Sequence, residues 1–261
     1  MTIERLRQIL DFSKLHSKDI DNAIRDFCHQ IELQSLDGVR DLFQIVKAHL
    51  AEKSFLFFQF PFQDPEIGAF VYEGDTLSYV ILNSCLPLLN TNFAFCHELY
   101  HIFFPLADEL CGVHIGEDYY ANENELRANL FAGKVLMPEL EFKQMFSRFQ
   151  DTNQLTTLVA LMNYFKAPFK AVYIRCYELG LLKGEPRYLE LTTEDIVAEF
   201  EKHWLDTSLL KPSYIDNSGL IYKYVQAKGC EYLNDGYINA RMLDTVLENL
   251  KILFPKIVAG E

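Results

Sequence analysis

Apolar and polar positions divide the chain into three regions. Over residues 1–50, charged and apolar residues alternate at helical spacing, as in DNAIRDFCHQIELQ and GVRDLFQIVKAHLAE, which predicts two or three helices. SFLFFQFPF, IGAFVYEG and LSYVILNS follow, three short aromatic or aliphatic runs broken by Pro65, Gly68, Gly74 and Asp75. The stretch between Glu73 and Leu77 reads as a hairpin turn, so these runs predict a small antiparallel sheet. The helical period then returns. TNFAFCHELYHIFF, from Thr91 to Phe104, has N-cap candidates in Asn90, Thr91 and Asn92 and a stop at Pro105.

DELCGVHIGEDYYANEN is a polar, glycine-containing connection, and ELRANLFAGKVLM is a further helix closed by Pro138. QLTTLVALMNYF and PFKAVYIRCYELG are two more; Pro168 suits the first turn of the second and Gly180 its C-terminal cap. Composition shifts at KGEPR, from Lys183 to Arg187. Beyond it TEDIVAEFEKHW and INARMLDTVLENLKILFP read as helices with a tyrosine-rich stretch between them. The order of helices, sheet and helices predicts an α+β domain over 1–187 with a helical C-terminal extension over 188–261. The motif-bearing part is 50–185.

The run from Phe93 to Phe104 is apolar nearly all round, yet it contains His97, Glu98 and His101. Burying Glu98 there without a partner would cost several kcal/mol, on the order expected for an uncompensated ion. A metal removes that difficulty. Residues four apart share a helix face, so the two imidazoles of H-E-x-x-H can converge on one ion. Glu98, about 100° round the helix, reaches a water without ligating. A hydrolytic zinc site uses three protein ligands, so one more is needed. Candidates are Asp108, Glu109, Glu117, Asp118, Glu123 and Glu125, with Cys96 and Cys111 better read as small core residues. Glu125 is favoured because Ala128, Ala132 and Gly133 form a small-residue stripe on its helix, which lets two helices approach closely; Glu123 is the reserve.

Composition narrows the remaining options. A hydrophobic share of 49% is ample for a core, and a net charge of −13 argues against general affinity for phosphate backbones or anionic lipid. Six cysteines without a C-x-x-C pair read as reduced thiols of a cytosolic protein. No signal peptide, apolar run of membrane-spanning length or DNA-binding helix-turn-helix is evident. The expectation is a cytoplasmic protein without direct nucleic-acid or membrane contact.

Two blocks, ILNS…NFAFCHELYH and ELRANLFAGKVLMP, together resemble the ImmA/IrrE metallopeptidases. Their pattern runs roughly I-x-x-N, F-t-l-A-H-E-L-g-H, then E-x-x-A-N-x-F-A-x-x-L-L-M-P. Glu125, Ala128, Asn129, Phe131, Ala132, Leu136, Met137 and Pro138 fall in register on the second block, and Arg175 in YIRCYELGLL matches a later arginine. The resemblance implies a zincin-like fold with His97, His101 and Glu125 as zinc ligands and Glu98 as general base. It also implies cleavage of a helix-turn-helix transcriptional repressor in the cytosol. Tyr100 stands in place of the usual glycine and Cys96 in place of alanine, so helix packing beside the site is expected to differ and the cleft to narrow.

Oxyanion partners open to a peptidase here are His114, Tyr119, Tyr120, Tyr173 and Arg175. A different class of function is a zinc-containing binding module that regulates a repressor or effector stoichiometrically; Glu98, useless to a pure binder, argues against it. Trp204, Tyr214, Tyr222, Tyr224, Tyr232 and Tyr237 in the extension either complete a core or anchor an interface. Oligomeric state cannot be read from the residues.

Overall fold

The three aromatic-rich runs form one sheet in the computed structural model of the chain, which describes residues 1–74, 77–105 and 122–260. Strands β1 (Phe55–Phe60), β2 (Ala69–Glu73) and β3 (Ser78–Asn83) lie in the order β1-β3-β2. β2 and β3 pair antiparallel, with Ala69 opposite Leu82 and Glu73 opposite Ser78, as a hairpin requires. Residues 75 and 76 of the turn lie outside the described residues.

The expectation of an antiparallel sheet fails at β1, which pairs parallel to β3 with Phe55 opposite Ser78 and Phe60 opposite Asn83. Periodicity identifies strands but not their neighbours. β3 is the most buried strand, so it takes the centre, and the connection over 61–68 carries the chain past it. Asn83 fixes that crossover. Its wholly buried side chain accepts from the Phe62 and Cys85 amides and donates to the Asp64 and Ile67 carbonyls.

Two helices precede the sheet, α1 (Ile3–Gln30) and α2 (Leu42–Glu52). After β3 come α3 (Leu88–Phe103) and α4 (Glu123–Leu136). α3 begins earlier than its polar residues suggested. Pro87, at φ −52° and ψ 145°, precedes the first turn, and the expected caps lie inside the helix. The Thr91 hydroxyl donates to the Asn83 and Pro87 carbonyls, and the Asn92 amide to the Lys166 carbonyl. A Cβ added at Gly68, just ahead of β2, would stand 2.6 Å from the Ala94 Cβ. Only a glycine lets the sheet sit this close to α3.

α4 packs along α3 through Ala128 and Ala132, both fully buried, while a Cβ at Gly133 would meet nothing within 4 Å. The small-residue stripe therefore reduces to its two alanines. α1 closes the other side, where the buried Lys134 ammonium donates to Asp21 and to the Ser17 hydroxyl and carbonyl. Phe27 meets Phe103 and Phe131 edge to face.

α5 (Glu139–Phe149) was not anticipated: Pro138 ends α4 and also starts the next helix, a position where its missing N–H costs nothing. α6 (Gln154–Phe165) and α7 (Phe169–Glu178) follow, with Pro168 as the N-cap of α7 rather than in its first turn. Gly180, at φ +66°, ends α7 in a Schellman turn: its amide bonds the Tyr177 carbonyl and the Leu181 amide bonds that of Cys176.

α8 (Thr193–Lys202) starts on a capping box of Thr192 and Asp195. It buries Phe200, and the short 3-10 turn at Thr207–Leu210 buries Leu209, in the same core as α3 to α7. A strap over 211–217 then crosses the sheet end. The Tyr214 amide bonds the Ser84 carbonyl, the Ser84 hydroxyl bonds the Ile215 carbonyl, and Asn217 exchanges two bonds with the Gln59 backbone. α9 (Ser218–Asn234) occupies the tyrosine-rich stretch that carried no helical expectation, and α10 (Ala240–Ala259) packs on it where Gly229 meets Leu243. Phe254 of α10 rests on Phe60. No described helix is long and apolar enough to cross a membrane.

Candidate metal centre

α3 and α4 meet at three side chains that converge. The 3.6-residue period sets His97 and His101 one turn apart on the α3 face turned to α4, and Glu125 lies in the first turn of α4. The His97 Nε2 is 3.0 Å from the Glu125 Oε2, the His101 Nε2 is 3.5 Å from the Glu125 Oε1, and the two Nε2 atoms are 3.3 Å apart. One ligand atom from each of the three lies within 4.8 Å of the others. Nitrogen and oxygen ligands at about 2.0–2.1 Å from a tetrahedral ion stand about 3.3 Å from one another, so the spacing suits one small cation. Two neutral imidazoles and a carboxylate are also the donor set that a divalent transition metal takes. His97, His101 and Glu125 thus form a candidate metal site.

Neighbouring amides from α4 hold both rings. The His97 Nδ1 lies 3.1 Å from the Asn129 Oδ1, and the His101 Nδ1 lies 3.3 Å from the Asn124 Nδ2. Neither amide was assigned a role from the sequence, although Asn129, at i+4 from Glu125, necessarily shares its face.

The electrostatics of this cluster depend on burial. Burial lowers His97, but the hydrogen bond to Glu125 and the Glu98 and Glu125 carboxylates outweigh it and hold the imidazole above its ordinary range. His101 is pushed down to about 4, by burial first and by His97 next, against the pull of Glu125. Half-buried Glu98 is pushed up to about 7 by burial; His97 opposes this and Glu125 adds to it. Glu98 is therefore a carboxyl close to the cluster and not a member of it.

The reserve ligand falls elsewhere. Glu123 is exposed and forms an ion pair with Arg127 at 2.8 Å, away from the imidazoles. Cys96 is buried in the core, and burial pushes its thiol well above the usual range. Tyr100 is buried too, its ring packed on Phe104 and Phe131 with its edge to His101. Asp108, Glu109, Cys111, His114, Glu117, Asp118, Tyr119 and Tyr120 lie outside the described residues.

The remaining oxyanion candidates have other tasks. The buried Arg175 guanidinium donates to the Met137 carbonyl and pairs with Glu178 at 3.0 Å. The Tyr173 hydroxyl accepts from the Arg187 and Tyr188 amides. Both bind helices and loops to one another, which leaves no described candidate free for a reacting oxygen.

Residues 53–177, spanning β1 to α7, match a peptidase family model described as the IrrE N-terminal-like domain. That span contains all three converging side chains, Glu98, and both supporting amides. The family is one of metal-dependent peptidases, in keeping with the candidate metal site. No curated protein and no solved structure matches the chain. From β1 to α7 the chain is similar to the IrrE N-terminal-like domain of the ImmA/IrrE family.

Proposed function

We propose that the chain is a zinc endopeptidase with a zincin-like site, in which His97, His101 and Glu125 hold the ion and Glu98 is the general base. The carrying observation is the placement of Glu98 beside the three converging ligand atoms but outside their set. A binder needs no carboxylate there. Zinc bound to this donor set supplies a Lewis acid that polarises a peptide carbonyl and acidifies water. Glu98 takes a proton from water on one carboxylate oxygen and delivers it to the leaving amine. Its low-polarity surroundings, which favour the protonated form, suit a group that must accept a proton and then release it.

The substrate we propose is a cytosolic protein, a helix-turn-helix transcriptional repressor. We read residues 1–187 as the catalytic unit and 188–261 as an extension. DNA would be reached through the repressor alone.

The test is to incubate the zinc-loaded chain with a helix-turn-helix repressor encoded beside it. Glu98→Gln keeps the side chain's shape and removes the proton acceptor, so cleavage should fall at least about 10²-fold while zinc is retained. Equal cleavage by the variant would remove Glu98 from the mechanism. Tight binding without cleavage by the wild type would favour stoichiometric regulation.

A further inference from the structure

We infer that two copies of the chain associate through their α9–α10 hairpins, with the two α10 helices antiparallel about a twofold axis. The contact is independent of the zinc site, so the two readings stand or fall separately.

α10 is apolar over a wider arc than α9 covers. Leu243 and Leu247 are buried, and Gly229 of α9 lies against Leu243. Met242, Val246 and Leu253 fall within about 40° of one another round the helix, roughly 100° from that buried pair. Each of the three is about half exposed. Besides Gly229, Leu243 and Leu247 no residue of α9 or α10 is buried, although the helices run to 17 and 20 residues. Seven of the fifteen large hydrophobic side chains exposed among the described residues belong to residues 218–260. A helix needs a neighbour over its apolar stripe, and this stripe lacks one within the chain.

Charge selects the neighbour. Residues 218–260 hold five basic and four acidic side chains, a net +1 in a chain of −13, so the remainder carries −14. Two copies meeting elsewhere bring strongly like charges together; at the hairpin they do not. The stripe also matches its own reverse. With the axis beside Leu247 and Glu248, Met242 stands against the partner's Leu253 and Val246 against the partner's Asn249. A twofold contact needs a surface of this self-complementary kind. The same register carries Lys256, near the end of α10, to the partner's turn between α9 and α10, which begins at Asp235. Lys256 and Asp235 are exposed, and neither forms an ion pair among the described residues. Their attraction acts twice, once on each side of the axis.

The experiment is sedimentation equilibrium of the metal-free chain from about 1 to 100 μM, with helix content followed by circular dichroism. The wild type should be dimeric at the upper end. Val246→Glu sets two carboxylates beside the axis and should raise the dimer dissociation constant at least about 100-fold. Ile252→Glu, on an exposed position roughly 100° off the stripe, should leave it within about threefold. Lys256→Glu and Asp235→Lys should each raise it about threefold or more, and the two together should restore it.

A wild type that stays monomeric throughout overturns the proposal and leaves the stripe to a different protein. A dimer that Val246→Glu does not weaken overturns it too, because the contact then lies elsewhere. Should Val246→Glu lose helix content, the exposed charge pair decides: single variants that do not weaken the dimer, or a double variant that does not restore it, contradict the antiparallel register.

Discussion

The Nε2 atoms of His97 and His101 lie 3.3 Å apart on consecutive turns of α3, with the Glu125 carboxylate within 3.5 Å of both. Two imidazole lone pairs at this separation repel unless a proton or a cation lies between them. A proton satisfies one pair of atoms at a time. A cation at their centre satisfies all three groups, which is the physical reason for reading the cluster as a metal site.

The choice between the two carboxylates of α4 can be tested directly. Glu125→Gln replaces an anionic ligand by a neutral amide and should weaken zinc binding by at least about tenfold in a chelator titration. Glu123→Gln should leave it unchanged, because Glu123 is exposed and pairs with Arg127. Sensitivity at Glu123 rather than Glu125 would show that α4 presents a different face to α3.

Two glycines should respond in opposite directions. Gly68→Ala places a methyl 2.6 Å from the Ala94 Cβ and should cost about 1–3 kcal/mol by urea unfolding. Gly133 lies inside α4 with open space beside it, so Gly133→Ala should stabilise by about 0.5–1 kcal/mol. A neutral Gly68→Ala would mean that β2 and α3 are not in contact.

Acid sensitivity should arise partly at Glu141. Burial raises its carboxyl, but the Gly38 amide at 2.8 Å, the Tyr164 hydroxyl and Arg40 together hold it below the ordinary range. A depressed carboxylate contributes stability that is fully present above its unfolded value of about 4.3 and is lost as pH falls through the folded one. From about pH 5 to pH 3 the wild-type melting temperature should therefore drop more steeply than that of Glu141→Gln. Parallel curves would contradict this.

Two aromatics only four residues apart separate core completion from surface anchoring in the C-terminal part. Phe200 is fully buried with the main core, so Phe200→Ala should cost about 3–5 kcal/mol. Trp204 is 92% exposed, and Trp204→Ala should stay within about 0.5 kcal/mol. Circular dichroism during urea unfolding measures both. Similar costs would mean that α8 does not close the core as described.

The sequence carried the site further than the fold. The i, i+4 histidines needed only helical geometry, whereas Glu125 rested on the small-residue stripe and on the family's second block; the structure brings these three side chains together. Strand order needed more than periodicity: the parallel pairing of β1 with β3 depends on Asn83 holding the 61–68 crossover, a set of contacts invisible in one dimension. Pro138 was read as a stop and is also a start, which hid α5. α9 was hidden because YKYVQAKGCEYLN spreads its aromatics around the helix and leaves no clear apolar face. The caps proposed for α3 failed because Asn83 and Lys166, distant in sequence, offered Thr91 and Asn92 better partners. Asn129 lay in plain view one turn from Glu125, but only the position of His97 gave it a task.

Metal analysis of the purified chain, after equilibration with zinc and removal of the excess, is the sharpest test of the zinc site. A single three-ligand site at His97, His101 and Glu125 predicts about one zinc ion per chain. It also predicts that replacing His97 and His101 together by alanine abolishes that zinc while α3 stays folded. A wild-type chain that retains no zinc, or a double variant that retains as much, would contradict it.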